Sequence, residues 1–248
     1  MVEPSIFKRM IEHAFLEPND VVLDVGAGLG FLTSFLTEKC KKVLAVEIDP
    51  RLVEVLREQL DVSSNIVIIE GDVLKVKISQ FNKVVSTPPY QISSSLIEWL
   101  FSRSFESAVL VFQKEFANRL VASIGSEDYG WLSVIAYYYS DVELLGEVLK
   151  CMFYPEPEVD SIIVCLKPRR PHSFMVKDET LFKRLVKMLF TQRNRKLRNA
   201  IIPFIKSTHN SMIEQKALSV ADSLPFHDKR VRELTPEDFG ALANVFAE

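Results

Sequence analysis

Apolar positions along this chain fall into two patterns that take turns. Ile6, Phe7, Met10, Ile11, Ala14 and Phe15 recur with a helical period, which predicts a helix over 4–15 ended by Glu17-Pro18-Asn19-Asp20. Val21 to Val25 follows as a short, nearly continuous apolar run, the pattern of a strand buried on both faces. Comparable runs predict strands at 42–46, 65–69, 84–86, 107–112, 141–148 and 161–166. Between them lie helical patterns after the glycines at 26–30 and over 48–60, 93–101, 113–123 and 131–139. Strands alternating with helices and closing on a strand pair predict a seven-stranded, mostly parallel sheet covered on both faces, an α/β, Rossmann-like fold. Its ligands lie across the carboxyl ends of the strands.

Past Lys167 the pattern changes. KPRRP, residues 167–171, reads as a linker, and helical stretches at 180–190, 196–206, 211–219 and 235–246 make a small all-helical domain. The expected domains are 1–168 and 169–248. Charge follows the same division. The net charge of −3 is the sum of 16 Lys and Arg against 9 Asp and Glu from Lys167 onward, and 14 against 24 before it. A basic appendage on an acidic domain points to a polyanion, although a solvated helix face is also often basic. Its densest segment is FTQRNRKLRNA, where Arg193, Arg195, Lys196 and Arg198 form a donor-rich patch at a helix start, suited to phosphate.

Other classes are set aside. No apolar run reaches the roughly 18 residues of a membrane helix, and the start lacks a signal-peptide pattern, so an intracellular, cytoplasmic protein with no membrane partner is expected. Cys40, Cys151 and Cys165, like the four histidines, are scattered; they read as reduced thiols and no metal site is expected.

The candidate chemistry gathers at predicted strand ends. Gly26, Gly28 and Gly30 open a loop into a helix, letting a backbone approach a ligand closely. Glu47 ends the next strand, 17 residues after Gly30, where an acid meets a ribose in dinucleotide folds; a helix cap is the plain structural alternative. Asp72 follows the third strand and suits an adenine amino group, or merely a turn. The spacing alone fits a nicotinamide enzyme, while the GxGxG pattern is closer to that of methyltransferases using S-adenosylmethionine. VVSTPPYQISSS, residues 84–95, sets a rigid Thr87-Pro88-Pro89-Tyr90 loop between a strand and a helix, with a hydroxyl, a free carbonyl and an aromatic face. Phe153, beside Pro155 and Pro157, is a second wall for a base or a core-packing residue.

Taken together, LDVGAGLGFLT, VEID, EGDVLK, PPYQISSSLI, FQKEFANRL, FYPEPEVDS and QRNRKLRNA resemble, in order and over nearly the whole chain, the ribosomal-RNA adenine dimethyltransferases. The resemblance implies a class I methyltransferase fold with a helical C-terminal domain, S-adenosylmethionine as methyl donor, and two neighbouring adenosines near the 3′ end of small-subunit rRNA as substrate. It implies that Gly26 and Gly28 meet the methionine part, Glu47 the ribose and Asp72 the adenine, with Ile48, Val73 and Thr87 also at the cofactor, and that Thr87 to Tyr90 with Phe153 surround the target base. A monomer, with rRNA or a pre-ribosomal small subunit as partner, is the matching expectation. Two departures stand out: Thr87 occupies the place of the family's usual asparagine and Pro88 that of a leucine or isoleucine, and a Gln-Asn/His-Phe-Leu segment expected before the glycine loop is not in this sequence. DNA or protein amino-group methylation, and an RNA-binding assembly factor with lost transfer, are the competing readings.

Overall fold

The computed structural model describes residues 3–60, 65–208 and 214–247. It divides into two compact units, one of residues up to Ala117 together with Asp141–Pro168, the other of Asn118–Ser140 together with the residues from Arg169 onward.

In the first unit the elements run α1 (Pro4–Ala14), β1 (Val21–Val25), α2 (Phe31–Thr37), β2 (Lys42–Glu47), α3 (Pro50–Leu60), β3 (Ile66–Glu70), β4 (Lys83–Ser86), α4 (Ser93–Phe101), β5 (Ser107–Gln113) and α5 (Lys114–Leu120). After α6 (Trp131–Tyr139), β6 (Ser140–Val148) and β7 (Ser161–Pro168) complete a seven-stranded sheet in the order β3-β2-β1-β4-β5-β7-β6. Pairing is parallel from β3 to β5, and β7 runs antiparallel to β5. The central strands are buried because their sequences are apolar at consecutive positions: Val22, Leu23, Val43, Leu44, Val84, Val85, Val109 and Leu110 have no exposed surface. On one face Ile6, Phe7, Met10 and Ala14 of α1 join Leu32 and Leu36 of α2 over Val22, Val43, Val85, Val109 and Ile163. Strand order reverses beside β1, whose neighbours are β2 and β4, and at such a switch the connecting loops diverge and leave a crevice at the carboxyl ends.

The second unit contains α6, then α7 (Glu179–Phe190), α8 (Leu197–Ala200), α9 (Ile202–Thr208), α10 (Glu214–Ser223) and α11 (Pro236–Phe246). Here the expected boundaries need correction. Residues 118–140 fall within the expected first domain, yet α6 packs with α7 and α11. The Tyr138 ring lies 4.9 Å from Phe174 and 5.1 Å from Phe182, and the Tyr129 hydroxyl donates to the Leu234 carbonyl at 2.8 Å. An apolar helix with seven buried positions in nine needs cover on several sides, and the C-terminal helices supply it. The expected linker is likewise shorter. β7 extends through Pro168, and Arg169 donates its N–H to the Tyr139 carbonyl at 2.8 Å. The single helix expected over 196–206 is two, with Pro203 in the first turn of α9, where a missing N–H costs no helical bond. Of the helix expected over 211–219, residues 211–213 lie outside the described residues, and α10 continues to Ser223.

Candidate active site

The glycine loop is held to the neighbouring strand by its own backbone. Gly26 and Ala27 donate their N–H groups to the Val46 carbonyl at 2.8 and 3.1 Å, and Gly26 takes a φ of 70°, which a side chain would strain. Glu47, at the end of β2, is only 6 % exposed. Its Oε2 accepts from the Gly28 N–H at 2.8 Å, and its Oε1 from Ile48 and Asp49 N–H at 2.8 and 3.0 Å. Glu47 is not the helix cap of the structural alternative: α3 begins at Pro50 and Asp49 accepts from the Arg51 N–H at 3.0 Å, whereas the Glu47 carboxylate reaches back to the glycine loop. Three of its roughly four acceptor positions are used. Asp72 accepts from the Leu74 N–H at 3.0 Å and lies 3.3 Å from the Lys75 ammonium. The N–H of Leu74 first, then Lys75, hold its carboxyl below the usual range.

These groups converge. Gly26, Glu47, Ile48, Asp72, Val73 and Pro89 share the wall of one cavity of about 180 Å³, together with Gln91 and Ile92, which sequence reading had not singled out. Gly28 joins it through its bond to Glu47. Two larger clefts, of about 640 and 630 Å³, open around Val21 at the amino ends of the strands and contain none of the expected site residues. The small cavity offers largely apolar walls for a flat base, one buried carboxylate, and a loop without a side chain at Gly26.

The loop after β4 supplies Pro89, Gln91 and Ile92 to the cavity wall, while Thr87, Pro88, Tyr90 and Phe153 lie outside its lining. The Ser86 hydroxyl donates to the Val25 carbonyl at 2.7 Å and accepts from the Val25 N–H at 3.0 Å, fastening the end of β4 to β1. Thr87 follows, half-buried, then buried Pro88 and exposed Pro89. Among the described residues nothing is hydrogen-bonded to the Thr87 hydroxyl or the Pro88 carbonyl. Tyr90 opens a 3-10 turn, Tyr90–Ile92, and its ring meets Phe153 edge-on at 6.5 Å and 62°. Phe153 is half-buried against the α1 side of the sheet, so core packing and nearness to Tyr90 are both realised. Burial pushes the Tyr90 phenol up, opposed by a bond to Ser161.

Sequence reading missed Asp24. Inside an apolar strand it is 1 % exposed, and its Oδ2 accepts from the buried Thr33 hydroxyl at 2.7 Å. Burial drives its carboxyl up to about 7; the Thr33 and Ser86 hydroxyls oppose that, and the Glu47 charge adds to it. The available signal was a lone acid two residues before the first glycine.

The basic patch in the second unit is not one free surface. Arg193 donates to the carbonyls of Glu127 and Ser126 at 2.6 and 2.8 Å. Lys196 and Arg198 lie 3.0 and 3.5 Å from Asp228, while Arg195 is exposed. Arg193 and Arg195 precede α8 and Lys196 caps it.

A family model described as "Ribosomal RNA adenine dimethylase" matches residues 1–244. A "Probable ribosomal RNA small subunit methyltransferase A" of Methanosarcina mazei is 42 % identical over 247 residues, covering 99 % of this chain and 89 % of the relative. One of the same description from Thermococcus onnurineus is 41 % identical over 243 residues, 96 % of this chain and 86 % of the relative. Among solved structures, a dimethyladenosine transferase from Plasmodium falciparum superposes with a TM-score of 0.82 at 28 % identity, covering 98 % of this chain and 95 % of that one. The 23S rRNA methyltransferase ErmE superposes at 0.68 and 26 % identity, covering 99 % and 98 %.

Proposed function

The chain belongs to the ribosomal RNA adenine dimethylase family and is an S-adenosylmethionine-dependent rRNA adenine dimethyltransferase; we propose that its substrate is the pair of neighbouring adenosines near the 3′ end of small-subunit rRNA. The curated relatives near 40 % identity carry small-subunit descriptions, whereas the large-subunit enzyme is the more distant superposition. Small-subunit rRNA, free or in a pre-ribosomal particle, is then the partner, the protein acts as a monomer, and the cytoplasm is its place of work.

What supports the site assignment is the pair of oxygens without a hydrogen-bond partner among the described residues, the Thr87 hydroxyl and the Pro88 carbonyl, at the end of the strand beside the cavity. The exocyclic nitrogen of adenine is a poor nucleophile because its lone pair is delocalised into the ring. Two acceptors holding its hydrogens make it more pyramidal and fix the direction of the lone pair. Tyr90 stacks on one face of the base, and Phe153, its ring turned 62° from that of Tyr90, bounds the site beside it once the base has left its stack in the RNA. Gly26, Gly28, Glu47, Ile48, Asp72 and Val73 would hold S-adenosylmethionine, which when bound supplies an electrophilic methyl group. No strong general base is needed, since water removes the proton released from the alkylated nitrogen. Thr87, smaller than asparagine, leaves room for an amine that already carries one methyl group. In the second unit, Arg195 contacts RNA phosphate, with Lys196 and Arg198 available where phosphate displaces Asp228; Arg193 supports the loop at 126–127.

The test is incubation with labelled S-adenosylmethionine and immature small subunits, naked small-subunit rRNA, large-subunit rRNA or DNA, with mass spectrometry of the modified nucleoside. Dimethyladenosine at two adjacent 3′-end positions of small-subunit rRNA is expected. Label in the large-subunit sample or in DNA would overturn the substrate, and RNA binding without label would make the protein an assembly factor. Sedimentation of the pure protein checks the monomer.

A further inference from the structure

Ser161 is the first residue of β7, and its side chain has no exposed surface. Backbone pairing opposite Gln113 in the antiparallel β5–β7 ladder fixes its place. Its hydroxyl shares a 2.6 Å hydrogen bond with the hydroxyl of Tyr90, 71 residues earlier in the chain. Among the described residues the side chain has no other hydrogen-bond partner. The bond thus ties the loop after β4 to the sheet. A tyrosine ring has two soft torsions, and anchoring the far end of the ring removes most of that freedom. The anchored plane stands 62° from that of Phe153 at a centroid separation of 6.5 Å, so each ring presents a differently directed face. Full burial of Ser161 keeps water from competing for the bond.

We propose that Ser161 is a positioning residue for rRNA adenine methylation, its hydroxyl setting the plane of the Tyr90 ring on which the target adenine stacks. Nothing in the local sequence around Tyr90 fixes that plane. The inference rests on Tyr90 being a base-stacking residue, and the experiment separates the two claims.

Steady-state kinetics on the RNA substrate are measured for Ser161→Ala, Tyr90→Phe, the double variant, Ser161→Thr and Tyr90→Ala. Quenching of 2-aminopurine placed at the target position reports stacking. Ser161→Ala and Tyr90→Phe should each lower kcat/KM by about three- to tenfold, the range of one neutral hydrogen bond. The double variant should lose no more than either alone, because both remove the same bond. Quenching should weaken in parallel, cofactor affinity should stay unchanged, and Ser161→Thr should recover most of the loss. Replacing both partners leaves no unpaired buried group, so the double variant should melt near the wild-type temperature while remaining slow. If Tyr90→Ala is fully active, the base-stacking reading fails and this inference with it. If Tyr90→Ala is inactive while Ser161→Ala and Tyr90→Phe match the wild type in kcat/KM and quenching, the Ser161 role alone is overturned. The same holds if Ser161→Ala changes only the melting temperature.

Discussion

A β-carbon added to Gly26 would lie 2.8 Å from Cδ of Pro89. The loop expected to meet the cofactor and the loop expected to meet the base are therefore in van der Waals contact across β1 and β4. The contact is possible only because Gly26 lacks a side chain and Pro89 presents a rigid ring that cannot swing aside.

Gly26→Ala should consequently do two kinds of damage. It places a side chain at a φ of 70° and drives it into the Pro89 ring. A cost of about 1–3 kcal/mol in stability is expected from the strain, and with it loss of S-adenosylhomocysteine binding by calorimetry. A variant that binds with wild-type affinity would show that the two loops are not coupled.

Glu47→Ala removes the acceptor shared by Gly28, Ile48 and Asp49 N–H. Hydrogen bonds to a charged group are worth about 1.5–3 kcal/mol, which corresponds to a roughly 10- to 150-fold rise in Kd for S-adenosylhomocysteine. RNA affinity should be unchanged. Titration calorimetry giving a wild-type Kd would remove Glu47 from the cofactor site.

Asp24 should make stability depend on pH. Its carboxyl titrates near 3.8 when free and is raised to about 7 in the folded chain, with burial the first cause. Between those values the folded form holds more protons than the unfolded one, so stability falls as pH rises from about 4 to about 7 and stays lower above. At about 1.4 kcal/mol per unit, the upper bound is about 4 kcal/mol. Asp24→Asn keeps an oxygen for the Thr33 hydroxyl and removes the titration. Its melting temperature relative to wild type should therefore climb between pH 5 and pH 8; a constant difference would argue against it.

Thr87→Val preserves shape and deletes the hydroxyl. Methyl transfer should slow by about tenfold or more, with cofactor affinity intact. Thr87→Asn supplies an amide oxygen with longer reach and should transfer the first methyl at least as fast as wild type, while the ratio of dimethyl to monomethyl product falls because the side chain is larger. Mass spectrometry of the products reads both; an undiminished rate for Thr87→Val would remove the hydroxyl from the mechanism.

Arg193 and Arg195 should behave differently although they are two residues apart. Arg193→Ala frees two carbonyls of the 126–127 loop and should destabilise the protein by about 1–3 kcal/mol with little effect on the salt dependence of RNA binding. Arg195→Glu should leave the melting temperature near wild type and reduce the slope of log K against log salt by about 1. Equal slopes for wild type and Arg195→Glu would make that side chain a bystander.

Five of the seven expected strands coincide with consecutive apolar residues inside a covered sheet, and burial on both faces leaves such a run no other place to go. Edge strands β3 and β6 are half-exposed: β3 still shows as the apolar run at 65–69 closing on Glu70-Gly71-Asp72, while β6 mixes apolar positions with Asp141, Glu143 and Glu147. The helical unit was harder. Its members were found by period, but α6 was grouped with the sheet because it lies between two strands in the chain, and sequence order carries no record of which apolar face covers which. Arg193 shows the same limit: a run of cations looks alike whether its donors meet solvent, a carboxylate or a carbonyl.

By itself the sequence determined the sheet, the glycine loop, the Thr87-Pro88-Pro89-Tyr90 turn and the acids at the strand ends, since each depends on spacing along one stretch of chain. Only the tertiary structure decided that Gly26 touches Pro89, that Ser161 holds Tyr90, and that Asp24 is buried against Thr33 and Ser86. Those relationships join residues up to 71 positions apart, and the dielectric surroundings, free acceptors and ring orientations they set are properties of packed neighbours, which no local pattern encodes.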